Sequence, residues 1–396
     1  MSAVLDLAPG TEEGIATALR NAAAPLAVEG NGSKRGMLRP VQASRTLSTR
    51  NLTGITLYRP QEMVLSARAG TTLPEIEAAL AEKNQIIVPE PPDLRALMGA
   101  EDAPPPTIGG LVAANLSGPR RITGFALRDA VLGIRFVNGA GEVLRSGGRV
   151  HKNVTGLDLC KLLAGSHGTL GIITEVTLKL GPAAARTATL AVPVEDEAAG
   201  IAVLSTGLTS PYGITGAAML PAGAAVAGLS GPLALLRLED VEASVNYRMG
   251  RLQVALPGGR VLEGEESRAL WRAIRDASPL VPGEGEAVWR LSLRPSAAPF
   301  AVGALRAAIG ARCLLDWGGG LVWAVGPATE SAHAAVMEAA RASGGTFTLF
   351  RAPDALRAAI AVIPPEPPAL AAIAARVKAA LDPAGRLNPG RMRAGV

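Results

Sequence analysis

The chain has 396 residues, 48% of them hydrophobic and 3% aromatic, with 39 Lys+Arg against 34 Asp+Glu and a mean hydropathy of +0.26. A chain this apolar is not disordered, its length suits two or three domains, and its few aromatics and lack of a basic arm set aside stacking on nucleic acid. Two cysteines, Cys160 and Cys313, cannot supply the four ligands of an ordinary iron–sulfur cluster or of a Cys-only zinc site, and read as two buried thiols. The histidines are His151, His167 and His333, in neither H-x-H nor H-E-x-x-H spacing, so no metal site is expected.

Residues 1–6 lack a basic and an apolar region, which argues against a secretory signal. Thr11–Ala24 has helical spacing with acids in its first turn. Leu26–Val28 is a short apolar run that stops at a glycine-rich loop, Glu29–Gly36, with Gly30, Asn31, Gly32, Ser33, Lys34 and Arg35. Glycines there permit positive φ, so consecutive N–H groups can converge on an anion; a plain polar turn is the competing reading. Neither Walker A nor G-x-G-x-x-G spacing is met. Met63–Ala67 reads as a strand, Thr72–Glu75 as a capping box opening a helix to Ala81, and Ile86–Val88 as a further strand. A loop over 99–106 precedes Thr107-Ile-Gly-Gly110, where a glycine pair opens a helix over Ile108–Leu116 and would let a ligand approach the backbone.

From Arg120 to Lys152 there are seven basic and two acidic side chains, a field suited to a diphosphate or an acidic substrate, or simply a solvated surface. Val131–Val137 and Glu142–Arg145 form a hairpin about Asn138–Gly141. Leu157–Ala164 is helical, Gly165–Gly171 a glycine-punctuated turn, and Ile172–Leu180 a strand. Beyond Gly181-Pro182 strands (Leu233–Leu238, Val288–Leu293, Leu321–Val325) alternate with amphipathic helices (Val241–Leu252, Glu265–Asp276, Thr329–Ala342). Residues 198–236 carry no charge, but Pro211, Pro221 and Pro232 interrupt them, so they read as buried elements, not a membrane span. A stiff linker, Ile363–Pro368, leads to a last helix, Ala369–Leu381.

Four motifs stand in order: the first loop, Thr107-Ile-Gly-Gly110, Lys152-Asn-Val-Thr-Gly-Leu-Asp-Leu159 and Gly165-Ser-His-Gly-Thr-Leu-Gly-Ile-Ile-Thr174. Together they resemble the FAD-binding domain of the vanillyl-alcohol oxidase / p-cresol methylhydroxylase (PCMH-type) flavoproteins. The runs Ser117–Arg121, Leu315–Gly319 and Leu387–Met392 are similar to FAD-binding subunits of bacterial glycolate oxidase (glycolate dehydrogenase) complexes. The resemblance implies an α+β fold: a two-subdomain PCMH-type FAD-binding domain over 1–183, a smaller α+β cap over 184–350, and a C-terminal segment, 351–396, packing back on the first. It implies that Gly30–Arg35 cradle the diphosphate of a non-covalent FAD, since the loop holds no His or Cys for covalent linkage. Thr107, Ile108, Gly109, Gly110, Ser117, Gly118 and Arg120 would line the flavin and its linker. Gly165, Gly168, Thr169, Gly171 and Ile173 would hold the adenosine side, and Asn388 would approach the flavin.

Departures from the family matter. Its 2-hydroxy-acid oxidisers carry a histidine-rich substrate site, often with a divalent metal, and this chain has no such cluster. His333 sits in a helix-surface pattern, His167 reads as a turn residue with cofactor contact as the competing reading, and Leu157 replaces the family's usual Tyr. No catalytic residue is therefore assigned. The expectation is a flavin-bearing subunit of a glycolate-oxidising complex, with substrate oxidation mainly on a homologous FAD-binding partner and an iron–sulfur subunit beside them. Such a complex would be cytoplasmic, touching the inner membrane only indirectly. The alternatives are a self-sufficient 2-hydroxy-acid dehydrogenase and a scaffold that has lost its flavin.

Overall fold

The computed structural model describes residues 7–123, 125–148 and 157–395; His151 and the run Lys152–Gly156 lie outside them. Local signals start most elements. Thr11 caps the helix Glu12–Arg20 by accepting the Gly14 N–H at 3.1 Å. Glu75 reaches back to the Thr72 N–H (2.7 Å) and hydroxyl (2.5 Å), fixing the start of Leu73–Ala81. Asn138 turns the hairpin Val131–Val137/Val143–Gly147 by accepting the Ala140 and Glu142 N–H groups at 3.1 and 2.9 Å.

Two antiparallel sheets organise the chain. The smaller has five strands in the order Ile55–Arg59, Val64–Arg68, Ile172–Lys179, Val131–Val137, Val143–Gly147. The larger has eight: Arg260–Glu263, Arg186–Pro193, Leu233–Asp240, Gly216–Leu220, Arg312–Asp316, Leu321–Pro327, Glu286–Ser292 and Thr346–Arg351. One apolar core runs through both. The uncharged stretch is folded into this core as the helix Glu197–Thr209 and the fully buried strand Gly216–Leu220. No described helix is long and apolar enough to cross a membrane. Both cysteines are buried free thiols. His333 is internal: it is 3% exposed and its Nδ1 accepts the Trp289 indole N–H at 3.1 Å. The helix-surface pattern around it thus conceals a core contact.

A separate small unit lies at the chain's start. Leu26–Glu29 pairs in parallel with Arg45–Ser48. The other edge of Leu26–Glu29 is met by the chain's end, with a parallel bridge between Leu26 and Leu387. Leu26 donates to the Arg386 carbonyl (2.8 Å) and accepts the Asn388 N–H (3.1 Å). A local core of Ile15, Leu19, Leu26, Leu47, Val137, Ile172 and Leu387 seals this junction.

The two sheets are joined by a buried ionic quartet. Arg237, 2% exposed, donates to both Glu90 oxygens at 3.0 and 2.9 Å and stacks on Trp271. Arg120 forks onto Glu239 at 2.8 and 2.6 Å and meets Glu90 at 2.9 Å. Burial opposes ionisation of Glu239, yet the two guanidiniums hold it down at about 2. Two acids against two bases leave the cluster neutral, so losing one member strands charge in the interior. Glu90→Ala is expected to cost about 3–5 kcal/mol in chemical denaturation. Because the folded pKa of Glu239 is depressed, its stabilisation is complete above the unfolded value of about 4.3 and is lost as pH falls toward 2. Acid unfolding of Glu239→Gln should lack that component.

Candidate cofactor cleft

The strand Leu26–Glu29 ends where the first loop begins, and this loop forms one wall of a cleft of about 410 Å³. Gly32 has φ +76, and an added Cβ would press within 3.0 Å of Arg35 Nε. Among the described residues the N–H groups of Asn31, Gly32, Ser33 and Lys34 donate to no protein acceptor, leaving a run of open donors. The opposite wall brings Thr107, Gly109, Gly110, Ala113, Gly168, Gly171 and Ile173 to the same space. Gly110 faces Lys34, whose Nζ would lie 3.5 Å from an added Cβ. The first N–H groups of the helix Ile108–Ala114 are not open: Ile108 and Gly109 donate to the Thr71 and Ala69 carbonyls, both at 2.9 Å, and Gly110 to Thr107 Oγ1 at 3.3 Å. That wall therefore offers close backbone approach without free donors.

Thirteen of the nineteen residues singled out from sequence line this cleft: Gly30 to Arg35, Thr107, Gly109, Gly110, Gly168, Gly171, Ile173 and Asn388. Six do not. Ile108 is fully buried beneath it. Gly165 donates to Val112 O at 3.2 Å, and Thr169 gives its carbonyl to Lys378 Nζ at 2.7 Å. Ser117 accepts the Leu127 N–H at 2.9 Å, Gly118 gives its carbonyl to the Trp317 indole at 3.0 Å, and Arg120 belongs to the quartet. Asn388 lines the cleft, but its side chain is committed to backbone: Oδ1 accepts the Val28 N–H (2.7 Å), and Nδ2 donates to Val28 O (3.2 Å) and His167 O (2.8 Å).

The lining also contains residues not assigned to the cofactor site from sequence: His167 and Arg391, which lie within quoted motifs, and Arg357, which does not. His167 holds φ +52, donates its N–H to Ala113 O at 2.8 Å and lines the cleft. Burial, reinforced by Arg391 and Lys34, pushes it down to about 3, so it is neutral at physiological pH. Burial, with Arg391 adding to it and Asp93 opposing, takes Lys34 down to about 8.

A second polar surface lies on the large sheet. Residues paired across antiparallel strands share a face, and the register puts Thr189, Arg237, Asp316, Trp323 and Arg290 on one side. Trp317 bridges to the smaller sheet's lobe through Gly118, with the guanidiniums of Arg121 and Arg290 at 4.9 and 5.1 Å from its ring. Neither arginine forms an ion pair among the described residues. Asp316, 3% exposed, is pushed up to about 7 by burial. Elsewhere in the basic cluster read from Arg120 onward, Arg120 pairs with Glu90 and Glu239, Arg128 with Asp129 and Arg135 with Glu12, while Arg145 is exposed.

A sequence-family model for an FAD binding domain matches residues 4–147. Glycolate oxidase subunit GlcE of Escherichia coli (strain K12) is 35% identical over 371 residues, 93% of each chain. Glycolate oxidase subunit GlcD of Bacillus subtilis is 29% identical over 159 residues, 40% of this chain and 32% of that protein. Among solved structures, 4-ethylphenol oxidase from Gulosibacter chungangensis superposes with a TM-score of 0.70 at 14% identity, covering 98% of this chain and 89% of that one. The protein is an FAD-dependent oxidoreductase with the mixed α+β fold of the vanillyl-alcohol oxidase / PCMH flavoenzymes. Within that class it belongs to the family of the glycolate oxidase subunit GlcE.

The donor set fits FAD: open N–H groups in a glycine loop, a lysine at its end, and glycine walls that admit a flat, extended ligand. Without an anion the buried lysine is a liability. Between pH 8 and about 10.4 unfolded Lys34 still holds its proton while the folded chain has released it, so ligand-free stability should rise with pH there. Denaturation midpoints of the ligand-free chain across this range should show that rise, and Lys34→Met should flatten it.

Proposed function

We propose that this chain is the FAD-bearing subunit of a glycolate-oxidising complex, holding FAD non-covalently with its diphosphate on the first loop. The single observation that carries this reading is the run of open N–H groups at Asn31–Lys34 in the cleft's lining, ending on a lysine with no ion-pair partner among the described residues. On this reading residues 1–183 form the FAD-binding domain, 184–350 the cap and 351–396 the returning segment. Bound FAD would supply the two-electron acceptor for an alcohol. Gly30–Lys34 bind the diphosphate, Gly109 and Gly110 admit the ring system, Gly168, Gly171 and Ile173 line the adenosine side, and His167 stays neutral against the cofactor. Ile108, Ser117, Gly118, Arg120, Gly165 and Thr169 are given no direct contact with the cofactor on this reading.

Two features support placing the main oxidation on a homologous partner. Among the described residues no three His, Cys, Asp or Glu gather as a metal-ligand set, and the whole chain has three histidines. With two cysteines it cannot carry an ordinary cluster, so an iron–sulfur subunit would take the electrons onward. One observation favours a second reading, a self-sufficient 2-hydroxy-acid dehydrogenase. Arg121 and Arg290 flank Trp317 without carboxylate partners, an arrangement suited to a substrate carboxylate, and Asp316 on the same sheet face has the pKa of a proton acceptor.

Acid precipitation of the purified chain should release flavin into the supernatant; yellow colour in the pellet or a colourless protein that takes up no FAD contradicts the proposal. Gly32→Val should abolish measurable FAD binding, because a β-branched residue is strained at φ +76 and obstructs the loop. Lys34→Ala, which removes one charged contact of about 1.5–3 kcal/mol, should weaken FAD by one to two orders of magnitude. Glycolate should not bleach the flavin of the isolated chain. Bleaching that disappears in both Arg290→Met and Asp316→Asn would install the second reading.

A further inference from the structure

The cationic partner of a diphosphate would be sought in the loop motif, where Lys34 and Arg35 stand together. The side-chain geometry separates them. Arg35 uses Nε and Nη2, the edge that forks onto an anion, to grip both oxygens of Glu29 at 2.7 and 2.5 Å. Arg357 is also occupied: Nε donates to Ala352 O at 2.9 Å, Nη1 to Leu38 O at 2.6 Å, and Nη2 pairs with Asp354.

Arg391 differs. It lies in the returning segment and lines the same cleft. Its Nη1 donates to Arg35 O (3.2 Å) and Arg39 O (3.3 Å), and its Nη2 to Lys34 O (2.8 Å). A guanidinium has five N–H donors. Three are engaged, leaving Nε–H and one Nη2–H, the same forking edge that Glu29 occupies on Arg35. Among the described residues neither Arg391 nor Lys34 has an ion-pair partner, whereas Glu29–Arg35 and Asp354–Arg357 cancel. The cleft therefore keeps two cations without a direct ion-pair partner among the described residues, one from each end of the chain, matching the two negative charges of a diphosphate; Asp93 and Glu29 offset them only from a distance.

We infer that Arg391, not Arg35, is the second cation for the cofactor's diphosphate, and that it shapes the loop by binding its carbonyls while offering its free edge to the anion. This rests on the FAD reading above. Burial and the nearby Arg357 lower Arg391 to about 10, which leaves it charged at neutral pH.

The test is fluorescence titration of the full chain with FAD and with riboflavin, which lacks the diphosphate, at low and high salt. Arg391→Gln should weaken FAD about tenfold to a hundredfold and reduce its salt dependence, with riboflavin affinity unchanged. Arg391→Lys keeps the charge but not the fork and should retain most FAD affinity. Arg35→Gln breaks the ion pair to Glu29 on a largely exposed guanidinium and should cost less than about threefold, with the salt dependence intact. The inference is overturned if Arg35→Gln loses about tenfold or more in FAD affinity, or if FAD and riboflavin fall together in Arg391→Lys, the mark of a purely structural role. Should Arg391→Gln not fold, Arg391→Lys and Arg35→Gln decide on those same criteria. A wild-type chain that binds no FAD would instead overturn the underlying cofactor reading.

Discussion

The cleft depends on the chain's end closing the free edge of its first strand. Leu26–Glu29 would otherwise be a two-stranded unit with an open side, too small to hold a loop in one conformation. Arg386, Leu387 and Asn388 supply the missing edge. Asn388, held at φ +45 and 3% exposed, then spans from Val28 to the His167 carbonyl. One side chain thereby fixes the distance between the first glycine loop and the third. Lys378 adds a second tie, from the helix Pro368–Leu381 to Thr169 and Leu387. Buried amide and ammonium groups with every partner in place specify geometry more than they add stability, since each net bond is worth about 1 kcal/mol.

Two clusters of buried charge show opposite designs. In the quartet, Glu90 and Glu239 balance Arg120 and Arg237, and all four are held by multiple short bonds. Such a cluster is closed and holds the sheets in register. In the cleft, Lys34 and Arg391 stand near neutral His167 and, among the described residues, form no ion pair; Asp93 and Glu29 act on them only from a distance. Their lowered pKa values express a cost that an incoming anion would remove, so anion binding and folding are linked through the same charges. The difference lies in neutrality: the quartet is buried and balanced, whereas the partly buried cations of the cleft are not.

What could be read from the sequence follows the range of the interactions. Caps at Thr11 and Thr72, the Asn138 turn and the glycines of the three loops involve neighbours three or four residues apart, and these were legible. Arg120 was not. Its partners lie 30 residues upstream and 119 downstream, and nothing in Ser117–Arg121 distinguishes a guanidinium bound to Glu239 from one facing a ligand. His333 misled for a related reason: a helix of alanines gives little periodic contrast, so its buried side was indistinct. Arg391 sits in a segment flagged through Asn388, but its role depends on carbonyls more than 350 residues away.

The large sheet extends this argument to the substrate side. Antiparallel register forces alternate residues onto one face, and here that face carries Arg237, Asp316 and Arg290, while Trp289 points the other way to His333 in the helical layer. A sheet buried on both sides would normally be apolar on both. Polar groups on the inner face are tolerated where they are paired, as Arg237 is, or where the space beside them is filled by water or ligand. Among the described residues Arg290 and Arg121 form no ion pair, and they rest on Trp317, whose indole is tied to Gly118 in the smaller sheet's lobe. The same contact that joins the lobes therefore sets two cations at their seam. Under the proposed division of labour that cationic seam is a surface retained without its full catalytic set. Under the self-sufficient reading it is the anchor for the substrate carboxylate. The fold is common to both, and the chemistry of a few side chains on that face separates them.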